Sequence, residues 1–280
     1  MTDLCIMVAP TGARRTKADH PALPITAAEI AATATACRDA GAGAIHVHVR
    51  DGAEVHSLDA DAYREAIAAI GAACPDIAIQ TTTEAAGVFE LPHQIASARA
   101  LRPACLSFSI NELMREGPRA ADAFLRWAAD AGVAIQFILY DADQITEFAR
   151  LWRDGALHLS GAPRLILVAG RYSATQDSDV AEFETLYAAL AAAGLDEAAV
   201  WMTCAFGRGE LACLERTIEL GGHVRVGFEN AIVDATGAPA RDNAERVALV
   251  ADLAAKHGRA VADAAASAAI LGMASLAPLV

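Results

Sequence analysis

The stretch Gly43-Ala-Ile-His-Val-His-Val49 is an apolar run with two histidines near its end, and it predicts a buried β-strand. Side chains alternate between the two faces of a strand, so His46 and His48 share one face and their apolar neighbours take the other. Two neutral imidazoles at this spacing can hold one divalent metal. A hydrogen-bonded polar patch where two elements meet is the alternative, and a third ligand must come from elsewhere in the chain.

Short apolar runs of this kind recur along the chain, and each is followed by a longer stretch with the periodicity of a helix. The predicted strands cover residues 4–9, 44–49, 77–82, 104–109, 134–140, 165–169, 199–203 and 223–227. The predicted helices cover residues 27–40, 60–72, 92–102, 119–131, 142–154, 179–193, 209–220 and 243–257. Capping signals support two of the helix starts, namely Thr26 with Glu29 and Asp242 with Glu245.

Eight strand-helix units in succession, without a break in composition that would mark a linker, favour a closed parallel barrel. The sequence therefore predicts a single α/β domain, a (β/α)8 TIM barrel, over residues 1–280. A doubly wound open sheet is the structural alternative. Residues from about 260 to 280 remain as an Ala-rich C-terminal helical tail, for which we expect a role in oligomer contacts.

The composition of the 280 residues, 55% hydrophobic and 20% charged, is that of a soluble globular chain with a substantial core. A formal net charge of −13 argues against nucleic-acid and membrane partners, which need a surface rich in Lys and Arg. Small molecules and copies of the same chain are therefore the expected partners. The six cysteines are scattered without a C-x-x-C pair, which argues against a disulfide framework. Residues 1–10 resemble a first strand rather than a signal peptide, so we expect a cytoplasmic protein.

Enzymes built on such barrels place their chemistry at the C-terminal ends of the strands and in the loops that follow. The polar residues at these positions include Arg14, Arg15, His46, His48, Arg50, Asp51, Thr82, Thr83, Glu84, Ser107, Asn111, Asp141, Arg171, Arg225, Glu229 and Asn230. The predicted barrel brings them to one mouth. There we expect Thr83, Ser107 and Asn111 to contact a substrate.

Glu229 is the best candidate for the third metal ligand. It keeps the parity of Arg225 on the eighth predicted strand, which lies close to the first and second strands in a closed barrel. Two imidazoles and one carboxylate leave a position open for water or substrate, as in catalytic zinc sites. Zinc is the expected metal, but Fe(II) and other divalent metals accept the same ligands, and the sequence does not separate them. Capping of the next helix and pairing with Arg225 are the alternative roles of Glu229.

Four segments occur in order over nearly the whole chain and form a specific combination. They are Ala9-Pro-Thr-Gly12, His46-Val-His-Val-Arg-Asp51, Gly221-Gly-His-Val-Arg-Val-Gly-Phe-Glu-Asn230 and Asp242-Asn-Ala-Glu-Arg-Val247. Together they resemble the β-keto acid cleavage enzyme family, whose founding activity is 3-keto-5-aminohexanoate cleavage.

The resemblance implies a zinc-dependent enzyme in which residues matching His46, His48 and Glu229 hold the metal. The implied reaction joins a β-keto acid and acetyl-CoA and yields acetoacetate and a new acyl-CoA by a retro-Claisen route. Family members are commonly homotetramers, so a homo-oligomer is expected by analogy. Thr82 falls where the family offers a hydroxyl to the substrate carboxylate, and Arg225 is expected to balance the charge that develops. The structural alternatives are strand propensity for Thr82 and a plain ion pair for Arg225.

Arg14 departs from the family pattern. The founding activity has a Glu after the Thr-Gly-Ala turn, which receives the cationic amino group of its substrate, whereas this chain has a cation there. Like charges in a water-poor pocket repel, so an amino-substituted keto acid is disfavoured. We expect a substrate with a second anionic or strongly polar group, such as a β-keto dicarboxylate. Solvent and a CoA phosphate are the alternative partners of Arg14.

Asn230 and Glu84 are two further departures. Asn230, which we keep with Arg225 among the expected catalytic-site residues, stands where family members often carry an Asp. That Asp is a candidate for abstracting the substrate proton, and an amide cannot act as a general base. Glu84, Asp141 or a metal hydroxide must then take this role. Glu84-Ala85 also replaces a Gly pair of the family.

Arg171 and Arg208 lie in glycine-containing loops that are candidates for binding the phosphates of CoA, although such loops are mostly turns. Two other classes of function stay open. One is a metal-dependent lyase or aldolase that acts without CoA, and the other is a metal-binding descendant that lacks this activity.

Overall fold

A computed structural model describes residues 2–171 and 175–274 of this chain. Its strands, in chain order, are Ile6–Val8 (β1), Ala44–Val47 (β2), Val49–Arg50 (β3), His56–Ser57 (β4), Ala78–Thr82 (β5), Cys105–Ser109 (β6), Ala134–Leu139 (β7), Arg164–Ala169 (β8), Val200–Ala205 (β9) and His223–Val226 (β10). All except β3 and β4 are parallel and close into a barrel, in the order β1, β2, β5, β6, β7, β8, β9 and β10. The predicted TIM barrel is confirmed, because β10 pairs with β1 and leaves no open edge.

The helices lie around the barrel, except for the last, which covers one of its ends. They are Ala27–Asp39 (α1), Ala60–Ala73 (α2), Leu91–Leu101 (α3), Ile110–Leu113 (α4), Pro118–Ala131 (α5), Ala142–Arg153 (α6), Val180–Ala192 (α7), Leu195–Ala198 (α8), Glu210–Glu219 (α9), Asn243–Lys256 (α10) and Ala264–Leu271 (α11). The capping box at the start of α1 is present as predicted: the Thr26 hydroxyl accepts from the N–H of Glu29, and the Glu29 carboxylate accepts from the N–H of Thr26. The sequence does not predict the one-turn helices α4 and α8, which are too short for a periodic signal.

The prediction for the second strand is wrong at its C-terminal end. The barrel strand β2 stops at Val47, and the following residues form the antiparallel hairpin of β3 and β4. The Asp51 carboxylate accepts hydrogen bonds from the backbone N–H groups of Ala53 (2.8 Å) and Val55 (2.9 Å), which fixes the turn of this hairpin. His48 therefore lies where the chain leaves the barrel wall.

The helix α11 closes the end of the barrel at which the strands begin. Ala268 and Leu271 of this helix share one buried cluster with the inward-facing side chains of Cys5, Met7 and Ala44. The helix expected within residues 260–280 is thus present and forms part of the core, while residues 275–280 lie outside the described ranges. The polar residues at the C-terminal ends of the strands lie at the opposite end of the barrel.

All six cysteines are buried and carry free thiols. Among the helices of the described ranges, none is both long enough and apolar enough to cross a membrane.

Candidate metal centre

His46 and His48 meet at the C-terminal end of β2. Only 1% of the surface of each residue is exposed. Their Nε2 atoms lie 3.2 Å apart, and their rings are inclined to each other at 72°. The two imidazoles thus share one face, as strand alternation predicts, although His48 lies one residue beyond the end of β2.

Glu229 joins the two histidines from the loop after β10. Its Oε2 atom lies 3.3 Å from Nε2 of His48 and 3.8 Å from Nε2 of His46. The loop is held against β1, because the backbone N–H of Glu229 donates a hydrogen bond of 3.0 Å to the carbonyl of Ala9. The donor atoms of the three side chains all lie within 4.8 Å of one another. The sequence-based grouping of these residues therefore corresponds to a compact cluster.

The cluster fits a divalent metal. Ligand atoms at about 2.0–2.1 Å from a tetrahedral zinc lie about 3.4 Å from each other, and the three separations in this cluster fall on both sides of that value. Glu229 Oε2 is buried and has no hydrogen-bond partner among the described residues. A buried carboxylate oxygen without a donor is costly, and a cation between the three side chains removes that cost. His46, His48 and Glu229 can therefore hold a metal ion.

Gln80 on β5 fixes the tautomer of His46. Its Oε1 atom lies 2.8 Å from Nδ1 of His46, while its Nε2 donates a hydrogen bond of 3.1 Å to Oε1 of Gln136 on β7. Because the amide nitrogen of Gln80 is committed to Gln136, its oxygen faces His46 and requires a proton on Nδ1. The lone pair of the imidazole is then on Nε2, the atom that faces the cluster.

Arg225 on β10 orients the carboxylate of Glu229. Its Nη2 atom donates to Oε1 at 2.8 Å, which leaves Oε2 for the cluster. Burial on its own raises the pKa of Glu229, but the charges of Arg225, His48 and His46 outweigh it, and the net pKa lies well below the usual value. Burial lowers the pKa of His46 to about 3. Near neutral pH the carboxylate is thus ionised and this imidazole is neutral, which are the forms that bind metals.

Two adjoining cavities, together called the pocket, lie against the cluster. They share Glu84, Arg171, Phe206 and Glu229 in their linings. The lining of the first also includes Arg14 and Arg15. The lining of the second also includes His46, Thr82, Ile138, Tyr140, Val168 and Arg225. The Glu84 carboxylate bridges two parts of this lining: Oε2 lies 3.9 Å from Nε2 of His48, and Oε1 lies 3.3 Å from Nη2 of Arg171. Within the described lining, Glu84 is the acidic side chain that remains besides Glu229.

The residues expected to contact a substrate occupy different environments. Thr82 lines the pocket, and its hydroxyl accepts a hydrogen bond of 2.9 Å from the backbone N–H of Glu84. Ser107 is buried in the barrel, and no described residue forms a hydrogen bond with its hydroxyl. Thr83 donates its hydroxyl to the carbonyl of Ser107 at 2.9 Å, and Asn111 is exposed on α4. The described pocket lining includes Thr82 but not Thr83, Ser107 or Asn111.

Arg14 and Asn230, two of the departures from the family pattern, lie in opposite settings. Arg14 is exposed at the edge of the pocket, and it forms no ion pair or hydrogen bond with the described part of the chain. Asn230 is fully buried, and its amide atoms likewise find no hydrogen-bond partner among the described residues. A ligand in the pocket therefore has access to Arg14 and not to the Asn230 side chain.

Of three other polar residues at the mouth of the barrel, two form local contacts and one lines the pocket. Asp141 caps the N-terminus of α6 and is exposed, and Arg208 forms an ion pair of 2.9 Å with Asp177. Arg171 is part of the pocket lining, and its guanidinium lies 5.4 Å from the ring centroid of Phe206.

Sequence reasoning does not single out Gln80 and Gln136, although they support the metal centre. Both are buried, Gln80 on β5 and Gln136 on β7, whose other residues are all apolar. An uncharged polar side chain at such a position costs free energy unless it is hydrogen-bonded. A glutamine inside a predicted core strand is therefore the signal that could have identified them.

This chain is similar to known proteins over nearly its whole length. The model of a family described as beta-keto acid cleavage enzyme matches residues 3–273. A 3-keto-5-aminohexanoate cleavage enzyme of Fusobacterium nucleatum is 29% identical over 268 residues, which cover 94% of this chain and 95% of the relative. A 3-oxoadipate:acetyl-CoA acetyltransferase of Cupriavidus necator is also 29% identical, in an alignment that covers 99% of this chain and 97% of the relative.

Solved structures share the fold at lower sequence identity. The apo structure of ObcA has a TM-score of 0.71 and 18% identity, with 91% of this chain covered. This chain spans 66% of that protein's length. A type I 3-dehydroquinate dehydratase from Clostridium difficile has a TM-score of 0.60 and 12% identity, with 92% of this chain and 94% of that chain covered.

Proposed function

This chain belongs to the beta-keto acid cleavage enzyme family, and from that premise we propose that it is a zinc-dependent acyltransferase that converts a β-keto acid and acetyl-CoA to acetoacetate and a new acyl-CoA. The observation that carries the proposal is the buried cluster of His46, His48 and Glu229 beside a pocket that contains Glu84 and Arg225. The relative named 3-oxoadipate:acetyl-CoA acetyltransferase supports the same reaction class.

Zinc is our choice of metal because two imidazole nitrogens and one carboxylate oxygen form a common catalytic zinc site. The same ligands suit other divalent metals, Fe(II) among them. A metal held by these residues supplies Lewis-acid polarisation of the keto oxygen, which is worth several kcal/mol in the transition state. All further roles belong to side chains of this chain.

Glu84 is the proposed acceptor of the substrate proton at C2. The other acidic side chain of the described lining, Glu229, directs one oxygen to Arg225 and the other to the histidines. Asn230 is buried and its amide does not take up protons. Asp141 is an exposed helix cap. Among these side chains, the Glu84 carboxylate next to His48 is therefore the base that the pocket offers.

Arg225 and Thr82 complete the proposed site. Thr82 presents its hydroxyl to the pocket, where it can donate to the substrate carboxylate. Arg225 is buried and permanently cationic, so it stabilises the negative charge that develops when C2 loses its proton. The C2 carbanion attacks the thioester carbonyl of acetyl-CoA and releases the CoA thiolate. This thiolate adds to C3, the original keto carbon of the substrate, and the C2–C3 bond breaks to give the new acyl-CoA. Glu84 returns its proton to C2 of the departing acetoacetate.

The proposed substrate class is a β-keto acid with a second anionic group. Arg14 is an exposed cation at the edge of the pocket, without a partner among the described residues. The name of the Cupriavidus necator relative includes 3-oxoadipate, which is a β-keto dicarboxylate. By analogy with the family we also propose a cytoplasmic homo-oligomer, a tetramer, which light scattering on the purified protein would test.

The deciding experiment is an assay of the zinc-loaded protein against β-keto acids that differ only in terminal charge, with and without acetyl-CoA. We expect acetoacetate and the new acyl-CoA in equal amounts, only with acetyl-CoA present, and fastest with a dicarboxylate. His46→Ala should abolish zinc binding and turnover. His223→Asn is the matched control, because it changes a buried histidine at the opposite end of the barrel and should retain both.

The other outcomes identify the alternatives. Turnover without acetyl-CoA would indicate a metal-dependent lyase or aldolase. An absence of turnover for every keto acid at full metal occupancy would indicate a metal-binding descendant that has lost the reaction.

A further inference from the structure

Arg15 binds three consecutive carbonyl groups in the loop that carries a metal ligand. Its guanidinium donates to the carbonyls of Phe228, of Glu229 at 2.8 Å and of Asn230 at 3.3 Å. The side chain forms no ion pair with the described part of the chain. A guanidinium whose hydrogen bonds all go to main-chain oxygens holds a backbone conformation rather than neutralising a carboxylate.

Arg50 binds the loop that carries Arg15. It lies two residues after His48, and its Nη2 atom donates to the carbonyls of Gly12 at 2.6 Å and Arg15 at 2.9 Å. Its Nη1 atom donates to the carbonyl of Glu54 in the hairpin of β3 and β4 at 3.1 Å. Arg50 thus links the C-terminal end of β2 to residues 12–15. Arg15 links residues 12–15 to residues 228–230.

We propose that Arg50 and Arg15 form a latch that positions Glu229 against the two histidines and thereby sets the metal affinity of the site. The ligands come from two separate segments, the end of β2 and the loop after β10, and residues 12–15 lie between them. The latch acts on the main chain of Glu229, whereas Arg225 acts on its carboxylate. This inference rests on the proposed metal site and is independent of which keto acid is the substrate.

Packing in the same loop shows why the main-chain position matters. A Cβ atom on Gly12 would lie 2.7 Å from Cγ of Glu229, so these two segments are already in close contact. A small movement of residues 12–15 therefore has to move the side chain of the ligand or lose contact with it. Metal affinity is sensitive to such displacements, since substitution of residues that only orient ligands typically costs 10-fold to 100-fold.

The test is the Kd for Zn²⁺, measured by competition with a chelator, in Arg15→Met, Arg50→Met and the double variant. Each single change should raise the Kd by about 10-fold to 100-fold. In the double variant the Kd should rise by less than the product of the two single increases, because the two arginines act in series. Arg259→Met is the matched control: Arg259 also donates to three main-chain carbonyls, those of Thr2, Gly221 and Gly222, at the opposite end of the barrel. Its Kd should stay within about twofold of the wild-type value even if its thermal stability falls.

Two further measurements separate the outcomes. Arg15→Lys keeps the charge but not the fork of donors, so it should lose most of the affinity, and it keeps the proposal testable should a Met variant fail to fold. In the Co²⁺-loaded protein, the visible spectrum of Arg15→Lys should change while that of Arg259→Met should not. If the wild type does not bind Zn²⁺, the metal site itself is wrong. If the wild type binds Zn²⁺ and the Arg15 variants bind it equally well, only the latch is overturned.

Discussion

The Nδ1 atom of His46 lies 2.8 Å from Oε1 of Gln80, and this hydrogen bond decides which imidazole nitrogen faces Glu229. Gln80 is fully buried, so water does not readily replace the amide oxygen if it is removed. The metal ligand therefore depends on a residue that itself has no access to the pocket surface.

Replacing Gln80 by Leu should weaken Zn²⁺ binding by about 10-fold to 100-fold, because the imidazole loses the acceptor that selects its tautomer. Chelator competition measures the effect. Gln94→Leu is the control, since Gln94 is an equally buried glutamine whose hydrogen bonds go to Thr83 and Glu112. Equal losses of zinc affinity in the two variants would mean that the effect is general destabilisation.

Arg14→Glu should reverse the order of preference among keto acids. The kcat/KM for a β-keto dicarboxylate should fall by about tenfold or more, and that for an ammonium-bearing keto acid should rise, since a charge reversal beside a ligand is worth more than about 1 kcal/mol. Arg119→Glu, at an exposed arginine on α5, makes the same change of net charge outside the pocket. An unchanged preference in Arg14→Glu would remove the argument for an anionic substrate.

Glu84→Gln should slow the exchange of the C2 proton of the keto acid with deuterium by about 10²-fold to 10⁴-fold, because an amide does not accept the proton. NMR follows this exchange in D₂O without acetyl-CoA, against the uncatalysed rate. Zinc affinity should stay close to the wild-type value. Glu90→Gln, at an exposed carboxylate before α3, should exchange normally. Wild-type exchange in Glu84→Gln would place the base elsewhere.

The candidate metal ligands could be grouped from the sequence because they lie near the C-terminal ends of two barrel strands. Strand parity predicts a shared face for His46 and His48. Glu229 lies three residues after the end of β10, a strand whose place in the barrel follows from closure. The same rule, applied one residue further, argues against Thr83 as a pocket residue, since its parity is opposite to that of Thr82. The structure agrees, because the Thr83 hydroxyl bonds to a neighbouring strand.

The supporting residues could not be predicted in this way. Gln80 meets Gln136 across 56 residues of sequence, and Arg15 meets the carbonyl of Glu229 across 214. Such contacts depend on the register between strands and on the path of loops, which local periodicity does not determine. The sequence does not predict the hairpin after β2 for a related reason. Val49 continues the apolar pattern, and the turn depends on the Asp51 carboxylate, which accepts hydrogen bonds from the N–H groups of Ala53 and Val55.

His223 should make the stability of the metal-free protein depend on pH. Its Nδ1 atom accepts a hydrogen bond from the N–H of Cys5 at 3.1 Å, and burial lowers the pKa of His223 from 6.5 to about 4. The unfolded chain therefore binds the proton first as the pH falls. The stability contributed by the neutral imidazole is complete above about pH 6.5 and is lost towards pH 4.

His223→Asn should reduce the slope of the unfolding free energy against pH over this interval. The reduction should correspond to the uptake of close to one proton, as measured by urea denaturation at a series of pH values. His158→Asn provides the comparison, because His158 is exposed, and it should keep the wild-type slope. A slope in His223→Asn as steep as that of the wild type would show that other groups carry the acid sensitivity.

Gly12→Ala should weaken zinc binding through direct displacement of Glu229. Gly12 has a φ of +68°, and an added Cβ would lie 2.7 Å from Cγ of Glu229. Gly87 is a matched control: its φ is +78°, but a Cβ there would meet nothing within 4 Å. Both substitutions should lower the free energy of unfolding by about 1–2 kcal/mol, because alanine is strained in the left-handed region. Only Gly12→Ala should also raise the Kd for Zn²⁺, since only its methyl group contacts a ligand. If both variants bind zinc equally well, the Glu229 side chain adapts, and the close approach of the two loops does not set the geometry of the site.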